Sequence, residues 1–165
     1  MYPGSILKTG LEIAKGKYIS VIDGDGQFPI SSIIKSYNII STKDVDFVKT
    51  YRSTRGDGFN RKAVSVVYNT FFNLLFPGLK SNDINSKPKT IRKEVLQRMK
   101  LQSNDWFIDA EIMIAVRRFK ITFEEFPVEF YKQENRLSFV KFEAILEFVK
   151  NLIIYRWKEF FKTSK

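Results

Sequence analysis

The chain has 165 residues, with 28 Lys or Arg against 18 Asp or Glu, which gives a formal net charge of +10 at pH 7. It contains neither Cys nor His, so disulfides, thiolate catalysis, Cys-ligated zinc and histidine general bases are excluded. Any bound metal should be a hard, oxygen-preferring ion such as Mg²⁺ or Mn²⁺. Apolar residues make up 44% of the chain, enough for one folded domain with its own core.

The first half of the chain alternates predicted helices and strands. A helix is expected over 5–15, and the continuous apolar run 18–22 predicts an inner parallel strand that is buried on both faces. A helix over 31–41, a strand over 45–50 and a basic loop to about residue 59 follow. The next helix, 60–76, is expected to turn six apolar residues toward the core: Ala63, Val66, Val67, Phe71, Leu74 and Leu75.

The second half continues the alternation. A loop over 82–89 precedes a short helix over 93–100 and a helix over 107–119. Residues 121–131 predict one or two strands, interrupted near Pro127, and a final helix is expected over 138–162. Strands that alternate with helices indicate an α/β layered fold.

Two carboxylates follow the first predicted strand directly. Asp23 and Asp25 are separated only by Gly24, which lets the backbone turn so that both side chains can bind one cation. Gln27 could add a neutral oxygen ligand. Ligands of open α/β sheets bind beyond the carboxyl ends of the strands, so the pair predicts a metal site. An acidic tight turn is the structural alternative.

The segment from Gly10 to Pro29, which ends in Asp-Gly-Asp-Gly-Gln-Phe-Pro, resembles family 2 glycosyltransferases with the GT-A fold. Within that family it is most similar to the dolichyl- or polyprenyl-phosphate sugar synthases. Four later motifs continue the resemblance in order, to about residue 140: Arg61-Lys-Ala-Val-Ser65, Asp83-Ile-Asn-Ser86-Lys-Pro-Lys89, Trp106-Phe-Ile-Asp109-Ala-Glu111 and Phe123-Glu-Glu125-Phe-Pro127-Val128. The resemblance implies a partial GT-A mixed sheet flanked by helices over 1–137 and a C-terminal amphipathic helix over 138–165.

The resemblance also implies an activity: metal-dependent transfer of a sugar from a nucleotide-sugar donor to an acceptor such as polyprenyl or dolichyl phosphate. Asp23, Asp25 and Gln27 would hold Mg²⁺ or Mn²⁺. Asp109 and Glu111 are the candidate catalytic carboxylates, although two residues apart on a helix they cannot share a face. They could instead be acids favoured by a helix N-terminus. The candidate substrate-binding residues are Arg52, Arg55, Arg61, Ser65, Asp83, Ser86, Lys89, Lys132 and Arg136.

Two features depart from the family pattern. The family's Arg-x-x-Gly-x-Ser motif is replaced by a segment that begins at Gln133, so Lys132 or Arg136 would have to make that phosphate contact. The family's opening strand and its nucleotide-binding half are absent from the sequence. We therefore expect a truncated or split enzyme, with a partner chain that could supply this half. A non-catalytic remnant or subunit is the alternative.

The final predicted helix is amphipathic. Phe142, Ile145, Leu146, Val149, Leu152, Ile153, Trp157 and Phe160 fall on one arc. This arc fits either core packing or an in-plane helix on an anionic membrane. A lipid-linked acceptor would favour the latter, and we expect a cytoplasmic protein at the cytoplasmic face of a membrane. The charge also allows a basic nucleic-acid-binding module, but no such motif is readable, so no nucleic-acid partner is expected.

Overall fold

A computed structural model describes residues 3–55, 59–131 and 142–162 of the chain. This part contains six helices, which are α1 (Pro3–Ile13), α2 (Ser31–Thr42), α3 (Phe59–Leu75), α4 (Lys93–Met99), α5 (Ile108–Arg118) and α6 (Phe142–Lys162). It contains four strands, which are β1 (Tyr18–Val21), β2 (Phe47–Arg55), β3 (Lys89–Arg92) and β4 (Phe123–Phe130). The predicted α/β alternation is confirmed. Residues 138–141 of the last predicted helix lie outside the described residues.

Three strand predictions were wrong in detail. β2 continues to Arg55, through the segment expected to be a basic loop. β3 was not predicted, because its sequence Lys-Thr-Ile-Arg has charges at both ends and no apolar alternation. β4 runs without a break through Pro127. It is an edge strand, where the missing N–H of a proline can be tolerated.

The four strands form one mixed sheet in the order β1-β3-β2-β4. β3 is antiparallel to both β1 and β2, whereas β2 and β4 are parallel. The expectation of an inner parallel position for β1 was therefore wrong: its only strand neighbour among the described residues is β3, and the pairing is antiparallel. The mixed, helix-flanked sheet predicted from the sequence is confirmed.

β2 separates two layers of apolar packing. The side chain of Phe47 joins the main core together with Ile91 of β3 and residues of α3, α4, α5 and α6. The next side chain, Val48, lies in a smaller cluster with Ile40 of α2 and Phe126 of β4. Successive strand residues point to opposite faces, so β2 is covered by helices on both sides. Arg52 lies in the C-terminal half of β2.

α3 is rotated relative to the prediction. Phe72 of α3 and Phe76, the residue directly after the helix, are fully buried, and Tyr68 of the same face packs against the core. Of the six residues expected to face inward, only Phe71 and Leu75 pack against the core. Ala63, Val66, Val67 and Leu74 are exposed. The residues that contact the core therefore recur every four positions, at Tyr68, Phe72 and Phe76.

α6 packs by a face that the predicted arc only partly contains. Leu152 is fully buried in the main core, and Phe148 and Tyr155 pack beside it. Ile153 and Trp157 are exposed, by 49% and 66%. The side chains of Phe142, Ile145, Leu146 and Phe160 lie outside the described residues. None of the helices in the described part of the chain has the length and hydropathy that a membrane crossing requires.

Candidate functional site

Two carboxylates and two lysines meet beyond the carboxyl end of β1. Lys87 Nζ lies 2.6 Å from Asp23 Oδ1 and 3.4 Å from Asp109 Oδ2. Lys89 Nζ pairs with the other oxygen of Asp109 at 2.5 Å. We call these four residues the Asp–Lys cluster. It brings together three residues that the sequence singled out and a fourth, Lys87, that it did not.

The charges of the cluster shift the pKa values of its members. Burial alone would raise the pKa of Asp109, but Lys89 and Lys87 outweigh it and lower that pKa below its usual value. Asp109 also lies in the first turn of α5, where the helix dipole favours a negative charge. Burial lowers the pKa of Lys89 to about 8, against the raising effect of Asp109. For Lys87, Asp109 and Asp23 outweigh burial and raise the pKa. Asp109 is therefore an ionised, electrostatically held carboxylate at neutral pH.

The two lysines are positioned by a short loop that is bound to β2 and α3. Thr50 Oγ1 donates to the Lys87 carbonyl at 2.6 Å and shares a 2.8 Å hydrogen bond with the Ser86 hydroxyl. Asn69 Oδ1 of α3 accepts the Ile84 N–H at 2.9 Å. The Lys87–Pro88 peptide is cis. Ser86, expected to bind substrate, is fully buried and helps to fix this loop through its bond to Thr50.

The acidic turn after β1 is held in place by its own hydrogen bonds. Asp25 Oδ1 accepts the backbone N–H of Gln27 at 3.1 Å. Gln27 Nε2 donates to the Tyr131 carbonyl at 3.1 Å, and the Tyr131 N–H donates back to the Gln27 carbonyl at 2.9 Å. Gln27 thus joins the turn to the end of β4. The metal-ligand role expected for its side-chain oxygen stays a prediction.

A fully protein-built metal cage is absent from the described residues, which contain no group of three or more acidic side chains suited to an ion. The Lys87 ammonium nevertheless occupies a position between Asp23 and Asp109, which shows that positive charge is favoured there. The Asp23 side chain remains 41% exposed. Mg²⁺ commonly binds through one or two carboxylates and completes its shell with waters and substrate phosphates. The metal-ligand role expected for Asp23 and Asp25 stays a prediction.

Lys49 of β2 is, like Lys89, a fully buried lysine. Lys49 Nζ contacts Glu125 Oε1 at 2.8 Å and donates to the Asp83 carbonyl at 2.6 Å. The other oxygen of Glu125 accepts the backbone N–H of Asn82 at 3.1 Å and its Nδ2 at 2.8 Å. Burial lowers the pKa of Lys49, while Glu125 opposes that effect. This network fixes the 81–83 loop on the sheet.

Arg52 forms a two-pronged ion pair with Asp83. Its Nε and Nη2 lie 2.7 and 2.9 Å from the two carboxylate oxygens. Both side chains border a cleft of about 680 Å³ between the end of β2, the 81–83 loop and α3, and Ser65 also lines it. The guanidinium expected to hold a phosphate is therefore already engaged by a carboxylate. The cleft itself is polar and lies beside the 81–83 loop.

Glu111 has its hydrogen-bond partners outside the Asp–Lys cluster. Its carboxylate accepts the backbone N–H groups of Gln102 and Ser103 at 2.9 and 2.8 Å, and the Tyr155 hydroxyl at 3.0 Å. These bonds tie the loop before α5 to α6. The structure brings Asp109, but not Glu111, to the cluster, in keeping with two helical positions that do not share a face.

Several expected site residues lie outside the described residues: the side chains of Arg55 and Arg61, and both Lys132 and Arg136. Lys87 and Lys49 were missed by the sequence reasoning, although each carried a signal. Lys87 stands inside the Asp83-Ile-Asn-Ser86-Lys-Pro-Lys89 motif, two residues before the first residue of β3. Lys49 interrupts an apolar strand, which marks a charge that needs a buried partner.

No protein-family model matches the chain, and no curated protein is similar to it. Its structure is similar to crystal structures of glucosyl-3-phosphoglycerate synthase from Mycobacterium tuberculosis. The complex with phosphoglyceric acid gives a TM-score of 0.71 at 16% identity, covering 94% of this chain and 55% of that one. The complex with Mn²⁺, UDP and glucosyl-3-phosphoglycerate gives 0.72 at 15% identity, with the same coverage. The complex with Mn²⁺, UDP-glucose and phosphoglyceric acid gives 0.69 at 18% identity.

These similarities concern the fold, since the identities are low. The present chain spans about 55% of the length of those structures. A four-stranded mixed sheet, helices on both of its faces and a C-terminal helix match part of the glycosyltransferase architecture that the sequence motifs resembled. The chain thus has a partial GT-A fold.

Proposed function

We propose that this chain forms the metal- and acceptor-binding part of a glycosyltransferase that uses a nucleotide-sugar donor. The observation that carries the proposal is the Asp–Lys cluster, where Asp23 and Asp109 come together beyond the end of β1. Support also comes from structural neighbours that were crystallised with Mn²⁺ and UDP or UDP-glucose. The donor diphosphate would lie beside Asp23 and Asp25.

In this proposal Asp23 and Asp25 hold Mg²⁺ or Mn²⁺ together with the donor diphosphate. The cation would stabilise the negative charge that develops on the departing nucleotide. Lys87, which lies against Asp23, would add positive charge on the same side. Gln27 would act indirectly, by fixing the turn that presents the two carboxylates.

We assign Asp109 a positioning role. Its lowered pKa makes it a weak base, whereas efficient general bases have pKa values near the working pH. An acceptor phosphate or carboxylate is already ionised at neutral pH and requires no base. Asp109 would keep Lys87 and Lys89 oriented, and the lysines would attract the anionic acceptor.

We propose an acceptor that carries a phosphate. Polyprenyl phosphate is the acceptor favoured by the sequence resemblance, and structural neighbours were crystallised with phosphoglyceric acid. Both present an oxyanion, so the same basic surroundings suit either. The cleft bordered by Arg52 and Ser65 is our candidate for this group, with Arg55 and Arg61 contributing from the same region of the sequence.

We further propose that the remaining donor-binding part is supplied by polypeptide beyond these 165 residues, in the same molecule or in a partner chain. Membrane contact through α6 would bring a lipid-linked acceptor to the enzyme at a cytoplasmic membrane face. Support for that contact is the exposed stripe of Ile153, Trp157 and Phe161 on α6, which lies beside the exposed Lys158.

The cation site can be tested by equilibrium dialysis of Mn²⁺ against the 165-residue chain, with and without UDP. We expect UDP to increase Mn²⁺ binding. The double variant Asp23→Asn with Asp25→Asn should lower the Mn²⁺ affinity at least about tenfold, since even indirect disturbance of metal ligands has effects of that size.

The matched control is Asp44→Asn with Glu94→Gln, because both of these carboxylates are exposed and the net charge changes equally. This control should bind Mn²⁺ as the unmodified chain does. Equal losses in both double variants would mean that Mn²⁺ responds only to overall charge, and the proposed site would then be wrong.

A further inference from the structure

We propose that Lys87 is a tethered cation that competes with the divalent metal for Asp23 and withdraws to Asp109 when the metal binds. This inference rests on the proposed function, because it concerns the same cation site. In this inference Lys87 sets the affinity of the site for the metal. Metal binding at Asp23 would also strengthen the contact between Lys87 and Asp109.

The first argument is the placement of the ammonium group. Lys87 Nζ contacts Asp23 at 2.6 Å and Asp109 at 3.4 Å, so a single positive charge already lies between the two carboxylates. The Lys87 side chain is 8% exposed, whereas that of Asp23 is 41% exposed. Lysine therefore reaches Asp23 from the interior, and a metal would reach it from solvent.

The second argument is charge repulsion. A divalent ion bound to the Asp23 carboxylate would lie a few ångströms from the ammonium, and the two like charges would repel each other at that distance. Metal and lysine therefore cannot both contact Asp23 at full strength. Either the metal binds weakly or Lys87 moves away.

The third argument is that Lys87 has a second ion-pair partner within reach. Asp109 already faces its ammonium, so Lys87 can leave Asp23 and keep an ionic partner. Lys89 differs, because it is fully buried and Asp109 is its only ion-pair partner among the described residues. Of the two lysines, Lys87 alone is placed to exchange.

The test is Lys87→Met in the 165-residue chain, measured by equilibrium dialysis of Mn²⁺ with UDP present. Removal of the competing ammonium should tighten Mn²⁺ binding roughly fivefold, the effect of losing one partly exposed ion pair. The loop should keep its place in this variant, since Thr50 binds the backbone carbonyl of residue 87. Circular dichroism and thermal unfolding check the fold.

Two controls make the result specific. Lys15→Met removes the same charge from an exposed residue that precedes β1, at the opposite end of the strand from Asp23, and should leave the Mn²⁺ affinity unchanged. Lys87→Arg keeps a cation at the site and should bind Mn²⁺ nearly as the unmodified chain does. Equal tightening in the Lys15 and Lys87 variants would overturn the competition, because net charge alone would then explain it.

The remaining outcomes separate this inference from the proposed function. If the unmodified chain and Lys87→Met bind Mn²⁺ equally, and Asp23→Asn abolishes binding, the competition is wrong and the cation site stands. If Mn²⁺ binds neither chain, or Asp23→Asn binds it as the unmodified chain does, the proposed cation site is itself wrong.

Discussion

Adjacent residues of β4 form two ion pairs in very different surroundings. Glu124 pairs with Lys43 at the surface, where their side chains are 34% and 55% exposed. Glu125 pairs with Lys49, where the exposures are 8% and 0%. The buried carboxylate also accepts three further hydrogen bonds, one from Ser81 and two from Asn82. Removing the charge of Glu125 should therefore matter far more.

We expect Glu125→Gln to lower the free energy of unfolding by about 3–5 kcal/mol, the usual cost of breaking a buried pair. The amide nitrogen cannot accept the donors of Asn82, and Lys49 loses its counter-charge. Glu124→Gln should cost about 1 kcal/mol or less, as surface pairs do. Urea unfolding of the two variants gives the comparison, and similar losses in both would show that the Lys49 network is not a stabilising unit.

The sequence identified individual charged residues of the candidate site, but it did not show how their charges pair. Asp23 and Asp109 were identified from motifs, and the structure brings both to the Asp–Lys cluster. Arg52, Ser86 and Lys89 were expected to bind substrate, and that role stays a prediction; each also has a protein partner that the sequence did not indicate. A sequence shows which residues carry charge, whereas the pairing of charges depends on tertiary contacts.

At the scale of elements, helix positions followed from apolar periodicity, but the buried faces of α3 and α6 did not. Both helices carry apolar residues around most of their circumference, so more than one face satisfies the pattern. β3 escaped prediction because Ile91 is its only apolar residue, while its other two buried residues, Lys89 and Thr90, have polar partners in Asp109 and Ser20. The edge position of β1 depends on strand order, which periodicity cannot reveal.

The outer face of α6 gives a test of membrane contact. Trp157 is 66% exposed, and its ring lies 5.1 Å from that of Phe161. We expect the chain to co-sediment with vesicles that contain phosphatidylglycerol, because aromatic rings and lysines favour an anionic interface. Trp157→Ser should weaken that binding several-fold, since one aromatic anchor is lost.

The matched control for this test is Trp106→Ser. Trp106 is 62% exposed and precedes α5, so it differs from Trp157 in location rather than in residue type. Binding should survive this substitution. A result in which neither substitution affects co-sedimentation would assign any vesicle binding to the general positive charge of the chain, and the proposed role of α6 would be wrong.

For the whole molecule, the chain's share of its structural neighbours limits what it can do alone. It spans 55% of their length, and in the proposed function its motifs supply the metal- and acceptor-binding side. Positioning of two bound substrates can contribute about 7–11 kcal/mol to a transfer reaction. We therefore expect no measurable sugar transfer by the 165 residues alone with Mn²⁺, nucleotide sugars and either polyprenyl phosphate or phosphoglyceric acid.

Activity that appears only after addition of a polypeptide containing the donor-binding part would support this expectation. The control is the same mixture with Asp23→Asn and Asp25→Asn in the present chain, which should be inactive. Robust turnover by the unmodified chain alone would show that its donor site is complete, and the proposed dependence on further polypeptide would be wrong.

The strand order has a consequence for how the chain folds. No two neighbouring strands of the described sheet are joined by a hairpin: β1 pairs with β3, and β2 pairs with β4, across intervening helices and loops. Even β2 and β3, which are consecutive in sequence, are separated by α3. Sheets built from such distant pairings form slowly, because the entropy of closing long loops is lost before any strand contact is gained. The helices should therefore form first, and the sheet should be the late, rate-limiting event of folding.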